Sequence, residues 1–476
     1  MTPITIKQPF IITIFGASGD LAKLMLFPAL YSLYEQGRLP VDFYIIGFAR
    51  TKKTDSAFQQ DFIASVKAAA GGVVNESALK KLSERVRYFT GEYGRSADFE
   101  SYAKFLKSLK LPANSLHLAY FSVPSVAYKP IIENLAALSK SGLYHIRLIL
   151  EKPFGVDKQS AEDIFHFALQ HFEEEKFYLL DHYLGKPAVR SIMHLRESNR
   201  ILSHMMRGYE IANVQITAFE EFGVKERASY FDQVGTIKDF VQSHLMQILA
   251  LATMSLPIDK NAQSLQREKY GVLAAIECPH DPKNIVIGQY QGYTKENGVP
   301  QDSHTETFAA LRLFIDRLDW FGVPIYVRTG KRLAKKQTYV VVELKKFPFQ
   351  AANEPPNRLI FELYPFEQAH LTLLNKQEDP AALQEIIASH SVACNVKAKC
   401  LPPGHAPLLL DVLRGEKKYF LSFPEIIASW DVVDKISALI ADNKIKLELY
   451  QAGSSGPAAH LRLPARDGFN WYSLPS

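Results

Sequence analysis

The stretch that most limits what this chain can fold into runs from Pro9 to Leu33. Phe10-Ile-Ile-Thr-Ile-Phe15 is short, apolar and rich in β-branched residues, and it stops at Gly16-Ala17-Ser18-Gly19-Asp20-Leu21-Ala22. A run of this kind reads as a buried strand entering a tight turn. Beyond the turn Leu21, Leu24, Met25, Ala29, Leu30 and Leu33 recur near helical spacing. A helix therefore follows, expected to bend at Pro28 because proline withdraws a backbone donor. Strand, glycine turn and helix make the cradle of a dinucleotide pyrophosphate. Gly16 and Gly19 let the backbone approach the phosphates, Ala22 lets helix and strand pack closely, and the helix N-terminus offers free N–H groups to the anion.

Short glycine patterns arise often by chance, so the context decides. A second strand, Phe43-Tyr-Ile-Ile-Gly-Phe48, stands at the expected distance. An NAD-preferring site usually places Asp or Glu after that strand. This chain has Ala49-Arg50-Thr51-Lys52-Lys53-Thr54, a guanidinium and hydroxyls suited to a ribose 2′-phosphate, so NADP is the expected cofactor. Further strands are read at 115–121 and 146–150, with helices around 99–109 and 127–139. Strands alternating with helices predict a doubly wound parallel sheet of the Rossmann type. The strand ending at Leu150 opens into Glu151-Lys152-Pro153-Phe154-Gly155, which puts Lys152 at the carboxyl edge, where ligands bind in such sheets.

A chain of 476 residues exceeds one ordinary core, and the division expected is a nucleotide domain over 1–183 and a larger α+β substrate and oligomerisation domain over 184–476. Hydrophobic content of 47% with 22% charged residues places it among globular proteins. The net charge of +5 is spread along the chain without a nucleic-acid-binding signature, which favours small anionic ligands over nucleic acid. Cys278, Cys394 and Cys400 are spaced for neither a zinc site nor a disulfide framework, so no metal is expected and a reducing compartment is the simpler reading. The apolar segment 10–15 lacks the basic front and cleavage site of a leader, and no run is long enough to span a bilayer. The expectation is a cytoplasmic protein.

After about residue 185 the rhythm changes. Segments 213–219, 307–315, 323–328, 338–344, 358–363 and 370–374 are strand-like and often alternating, which predicts one broad, mainly antiparallel sheet half covered by helices. The longest helix candidate is 237–254, where His244 falls four residues from both Phe240 and Ile248 on an apolar face. A histidine so placed is either a core residue with a satisfied hydrogen bond or a proton carrier. A nearby carboxylate and ligand lysines are what distinguish the two.

Taken in order, five groups of residues resemble the glucose-6-phosphate dehydrogenase family. They are Gly16-Ala-Ser-Gly-Asp-Leu-Ala-Lys23, Glu151-Lys-Pro-Phe-Gly155, Asp181-His-Tyr-Leu-Gly-Lys186, Tyr230-Phe-Asp232 running to Lys238-Asp-Phe-Val-Gln-Ser-His-Leu245, and Val323-Pro324 through Arg328-Thr-Gly-Lys331. The likeness continues into Leu408-Leu-Leu-Asp411 and Gly453-Ser-Ser-Gly-Pro457. It implies oxidation of the C1 hydroxyl of β-D-glucose 6-phosphate with hydride transfer to NADP, the first step of the oxidative pentose phosphate pathway, in a homodimer or homotetramer. By the same resemblance His244 is the general base and Asp181 its paired carboxylate. His182, Tyr183 and Lys186 grip the phosphate. Glu220, Asp239, Lys331 and Lys336 surround the sugar, and Lys152 reaches both ligands. Gly16, Ala17, Ser18, Gly19, Asp20, Leu21, Arg50 and Tyr128 contact the cofactor.

The chain departs from the family pattern at several places. Leu179 stands where an arginine is common, Pro187 where a glutamate is, Leu24 and Met25 where a basic residue is favoured, and Glu221 where a proline is. None removes a proposed catalytic group, but loss of a neighbouring charge alters binding and pKa. Two other readings fit parts of the pattern: a sugar dehydrogenase of the glucose-fructose oxidoreductase type, and a non-catalytic NADP-binding relative.

Overall fold

The computed structural model describes residues 6–112, 115–140, 145–279, 281–351, 354–376, 383–391, 401–402, 404–442 and 445–474. Cys394 and Cys400 lie outside them. The chain divides into two compact units. The first comprises Met1–Gly155, Gln159–Lys186 and Asn395–Phe423, and the second comprises Val156–Lys158, Pro187–Cys394 and Pro424–Ser476. The break expected at residue 183 lies near the end of the first unit's second run, and that unit also takes in a segment from far downstream.

The first unit is built on six parallel strands: β1 (Phe10–Phe15), β2 (Phe43–Ala49), β3 (Val86–Thr90), β4 (Leu116–Phe121), β5 (His145–Glu151) and β6 (Phe177–Leu180). Their order is β3-β2-β1-β4-β5-β6, so the chain reverses its direction of travel across the sheet between β1 and β4. β1, β4 and β6 are buried along their whole length, as strands covered by helices on both faces must be. Ring packing fills one face: Phe15 and Phe48 lie 5.1 Å apart, and Phe48 and Tyr102 5.2 Å. Four of the strands lead at their carboxyl ends into a residue of functional interest, giving Gly16 after β1, Arg50 after β2, Lys152 after β5 and Asp181 after β6.

The helix expected after β1 is present and opens with a wide turn ahead of Pro28. Residues Ala22–Leu26 form a wide π turn, and an α-helix over Phe27–Glu35 begins with Pro28 in its first turn. A wide turn accommodates a residue that cannot donate, and the chain stays helical through it from Ala22 to Glu35.

The second unit carries ten strands: β7 (Ile211–Phe219), β8 (Ile276–Glu277), β9 (Ile285–Tyr290), β10 (Phe308–Ile315), β11 (Ile325–Gly330), β12 (Gln337–Leu344), β13 (Arg358–Tyr364), β14 (Gln368–Lys376), β15 (Leu383–Ser391) and β16 (Leu447–Tyr450). The order is β15-β14-β13-β12-β7-β11-β10-β9-β16, with β8 beside β10. Most pairs are antiparallel, and β7–β11 and β9–β16 are parallel. β8, β9, β15 and β16 escaped the sequence reading. β8 and β16 are set by partners far away in the chain, β10 and β9, whereas β15 pairs with its chain neighbour β14.

The predicted helix 237–254 is two structures in tandem, a π-helical stretch Ile237–Leu245 followed by an α-helix Met246–Thr253. Gly235, at φ +71° and ψ 172°, breaks it from the preceding helix Ala228–Thr236. Hydrophobic spacing alone cannot signal a π stretch, because the apolar face persists through it. No helix among the described residues is long and apolar enough to cross a membrane.

Candidate active site

In the first unit the turn after β1 is shaped by glycine. Gly16 has φ +83°, and a Cβ there would run into the Ser122 carbonyl, so the backbone passes closer to β4 than any other residue permits. Its N–H donates to the Phe48 carbonyl at 2.9 Å, and the Gly19 N–H donates back to the Gly16 carbonyl at 2.9 Å. Ala17 is fully buried, Ser18 and Leu21 are half-buried, and Gly19 and Asp20 are exposed where the helix begins. A tight glycine turn leading into the start of a helix is the arrangement an anion needs. A pyrophosphate fits it by these criteria, and Arg50, exposed directly after β2, supplies a cation beside it.

Tyr93 was not singled out by the sequence. Its ring lies 5.9 Å from Phe48, and burial raises the pKa of its hydroxyl while the Gly16 amide and the Arg50 charge oppose the rise. The hydroxyl is therefore near enough to the glycine turn and the arginine to feel both. No local motif marks it, since its relation to both exists only in the folded sheet.

Tyr128 is fully buried, and its hydroxyl donates to the Glu151 carbonyl at 2.5 Å, which places it under the end of β5. Lys152 follows, half-buried. At the end of β6, Asp181 is 1% exposed and caps the short 3-10 turn His182–Gly185, its Oδ1 accepting the Tyr183 N–H at 2.9 Å. His182 is half-buried with its ring 5.1 Å from Tyr183, and the Lys186 ammonium sits 3.5 Å from the Tyr183 ring centroid. Asp181, His182, Tyr183 and Lys186 thus occupy one turn, with imidazole and ammonium flanking one phenol ring.

In the second unit β7 and β11 run parallel, with Phe219 in register with Gly330. Glu220 and Lys331, one residue beyond each strand, meet as an ion pair at 2.6 Å. Lys331 is held by its backbone as well. Its N–H donates to the Thr307 carbonyl at 2.9 Å, and its carbonyl accepts from the Tyr450 hydroxyl at 2.7 Å. Lys336 takes another course: it is exposed, and its ammonium lies 4.4 Å from the Tyr364 ring centroid at the end of β13.

His244 lies in the last turn of the π stretch, 1% exposed, with Phe240 edge-on to its ring at 5.1 Å. Asp239 is half-buried one turn earlier, in the first turn of the same stretch. A residue the sequence gave no reason to choose anchors the start of this stretch. The Glu306 carboxylate accepts the Ile237 N–H at 3.0 Å, and its backbone carbonyl accepts the Thr236 N–H at 3.1 Å. A side chain at Gly235 would strike that carboxylate. Burial pushes the Glu306 carboxyl up to about 7, against the pull of the Ile237 N–H and the Lys238 charge.

The departures from the family pattern also find places. Leu179 is buried in β6, where its carbonyl accepts the Leu421 N–H at 3.0 Å, and Pro187 opens the helix Pro187–Ser198. Leu24 and Met25 lie exposed on the π turn beside the cradle, and Glu221 is exposed.

Residues 13–191 match the model for the NAD-binding domain of glucose-6-phosphate dehydrogenase, and residues 193–472 match that for its C-terminal domain. The chain is 33% identical to cytoplasmic glucose-6-phosphate 1-dehydrogenase 5 of Arabidopsis thaliana, over 98% of this chain and 93% of that one. It is 32% identical to glucose-6-phosphate 1-dehydrogenase of Bacillus subtilis, over 99% and 100%. Among solved structures it is similar to a glucose-6-phosphate dehydrogenase in complex with its substrate glucose-6-phosphate, at TM-score 0.91 and 29% identity over 99% and 100% of the two chains. The enzyme from Mycobacterium avium superposes at TM-score 0.85 with 31% identity, over 98% and 100%.

Proposed function

The chain belongs to the glucose-6-phosphate dehydrogenase family and acts as a glucose-6-phosphate dehydrogenase, and we propose that it oxidises the C1 hydroxyl of β-D-glucose 6-phosphate to the lactone with NADP in preference to NAD. The observation that carries the residue assignments is the Asp181-capped turn, which gathers His182, Tyr183 and Lys186 at the carboxyl end of β6. A sugar phosphate dianion needs several donors and at least one cation, and that turn offers both. Arg50 after β2, with no carboxylate in its place, favours a 2′-phosphate.

When bound, the dinucleotide supplies the nicotinamide carbon that accepts the hydride. The chain's own residues bind, orient and move the proton. Backbone N–H groups of the turn Gly16–Leu21 receive the pyrophosphate, and Arg50 reads the 2′-phosphate. Tyr128 fixes the strand end from which Lys152 reaches the ligands. His182, Tyr183 and Lys186 fix the sugar by its phosphate, while Glu220, Asp239, Lys331 and Lys336 take its hydroxyls. His244 Nε2 or Nδ1 takes the C1 hydroxyl proton as the hydride leaves, and Asp181 stabilises the imidazolium so formed. Holding C1 at the correct distance is the larger part of the task.

Following NADPH absorbance tests the reading. Turnover is expected with glucose 6-phosphate and NADP, with free glucose a poor substrate and NAD a poorer acceptor. Oxidation of free glucose as efficient as that of glucose 6-phosphate would move the protein to the glucose-fructose oxidoreductase type. Cofactor binding without turnover would make it a sensor. The same reading takes the protein as a cytoplasmic homodimer or homotetramer, and sedimentation equilibrium would count the chains in the assembly.

A further inference from the structure

His405 comes from the segment that returns to the first unit, and it opens the helix His405–Arg414. It is 4% exposed, and its Nε2 lies 2.9 Å from Oε1 of Glu151, a partner 254 residues earlier. The same Glu151 oxygen accepts the hydroxyl of Tyr120, which is fully buried, and the Glu151 carbonyl accepts from Tyr128. Among the described residues Nδ1 of His405 has no hydrogen-bond partner, so the polar anchorage of this ring runs through Glu151. Its other contact is a stack: the His405 and His182 rings are 9° from parallel, with centroids 6.2 Å apart. The backbones close in beside them. The Gly404 N–H donates to the Gly185 carbonyl at 3.3 Å, and a Cβ on Gly185 would run into the Gly404 carbonyl.

We propose that His405 is a positioning residue for the sugar phosphate: bonded to Glu151 and stacked on His182, it locks Lys152, the next residue after Glu151, and His182 into one fixed spacing. β5 and β6 already pair at their ends, Glu151 opposite Leu180, and His405 adds a side chain from outside both strands that meets Glu151 and His182. A buried carboxylate bonded to both a phenol and an imidazole has little freedom, so the strand end carrying Lys152 is over-determined. A flat ring packed parallel behind His182 limits the tilt of that imidazole in the same way. This inference rests on the assignment of Lys152 and His182 to the substrate.

His405→Phe keeps a flat ring behind His182 and loses the bond to Glu151. Glu151→Gln keeps shape and volume and weakens the same bond, and it carries the test alone if the His405 variant does not fold. In each, KM for glucose 6-phosphate and the inhibition constant of inorganic phosphate should rise together, on the order of ten-fold, because sub-ångström misplacement of binding groups has effects of this size. Per folded enzyme, kcat should change by less. The double variant should be no worse than the more damaged single one, as expected of residues acting through one contact. Unchanged KM and phosphate inhibition with only a lower folded fraction would overturn the proposal, as would additive losses. Absence of glucose 6-phosphate turnover in the unmodified enzyme would instead strike the assigned function.

Discussion

The two units place chemistry on a sheet in opposite ways. In the first, the strands are mostly apolar and aromatic, with Thr13 and His117 as a buried polar pair, and the working groups sit on loops at one edge, each directly after its strand. In the second, polar side chains run through the buried sheet itself. Asn213, Gln215, Thr217, Arg328 and Glu343 are all buried. Arg328 donates to Thr217 at 2.9 Å, Tyr339 at 3.0 Å and the Tyr472 carbonyl at 3.2 Å, and Gln215 holds the Asn470 carbonyl and the Tyr472 N–H. A parallel sheet with covered faces leaves only its edge for ligands. A mixed sheet can afford a buried polar layer where a following segment of chain satisfies it. The first unit should therefore be sensitive in ligand binding, and the second in proton transfer and in stability.

The largest effect expected is on His244. His244→Asn should lower kcat by roughly 10²- to 10⁴-fold while leaving glucose 6-phosphate binding largely intact. Calorimetric titration beside steady-state kinetics reads both, and near-normal turnover would take the proton step out of the second unit.

Acid stability sharpens the contrast next. His117 in the first unit and His460 in the second both have pKa values lowered to about 4. Burial is the cause at His117, whose Nε2 lies 2.8 Å from the Thr13 hydroxyl. At His460 burial comes first and the charge of Arg328 adds to it. Below the unfolded value of 6.5 the unfolded chain binds protons that the folded rings refuse. Stability should thus fall between about pH 6.5 and pH 4 and level off below, by roughly 3 kcal/mol for each ring. Urea denaturation across that range, with His117→Gln and His460→Gln, would assign the slope to each unit, and an unchanged slope in either variant would remove that histidine from the account.

Arg328→Met should cost about 2 kcal/mol, since the buried Thr217 hydroxyl loses the donor Arg328 supplies and the Tyr339 hydroxyl and Tyr472 carbonyl keep only the bond between themselves. The loss should appear as a lower urea midpoint, and a variant as stable as the parent would mean the polar layer is tolerated rather than needed. Smallest is Arg50→Ala, which should raise KM for NADP about ten-fold, equivalent to one charge-assisted hydrogen bond, with little change for NAD. Equal loss for both acceptors would separate Arg50 from the 2′-phosphate.

The same contrast explains what could be read in advance. The turn Asp181–Lys186 was legible from its own residues although the short strands β3 and β6 were not read, whereas the glycine turn, Arg50 and Lys152 are runs of neighbours placed by strands that announce themselves as apolar segments. The six strands 213–219 to 370–374 were visible for the same reason. Glu306 was not, because the N–H it holds is 69 residues away. Tyr93 and His405 were hidden likewise, one by relations made across the sheet and the other by a partner 254 residues distant. Lys336 was legible only by its place in the family order, and its ammonium lies 4.4 Å from the Tyr364 ring centroid. The π stretch at 237–245 has no period that distinguishes it from an α-helix.

The returning segment Asn395–Phe423 has a consequence for how the polypeptide matures. Besides His405, it provides the Val412 carbonyl that receives the Arg147 guanidinium, the Leu421 N–H that meets Leu179 at 3.0 Å, and Phe423, stacked on Phe165 at 4.2 Å. A ribosome delivers those groups only after more than two hundred further residues have been made. Until then Glu151 and Arg147 wait on a half-finished template, and gene fragments ending near residue 186 would be expected to yield aggregation-prone polypeptide instead of a free-standing nucleotide-binding module.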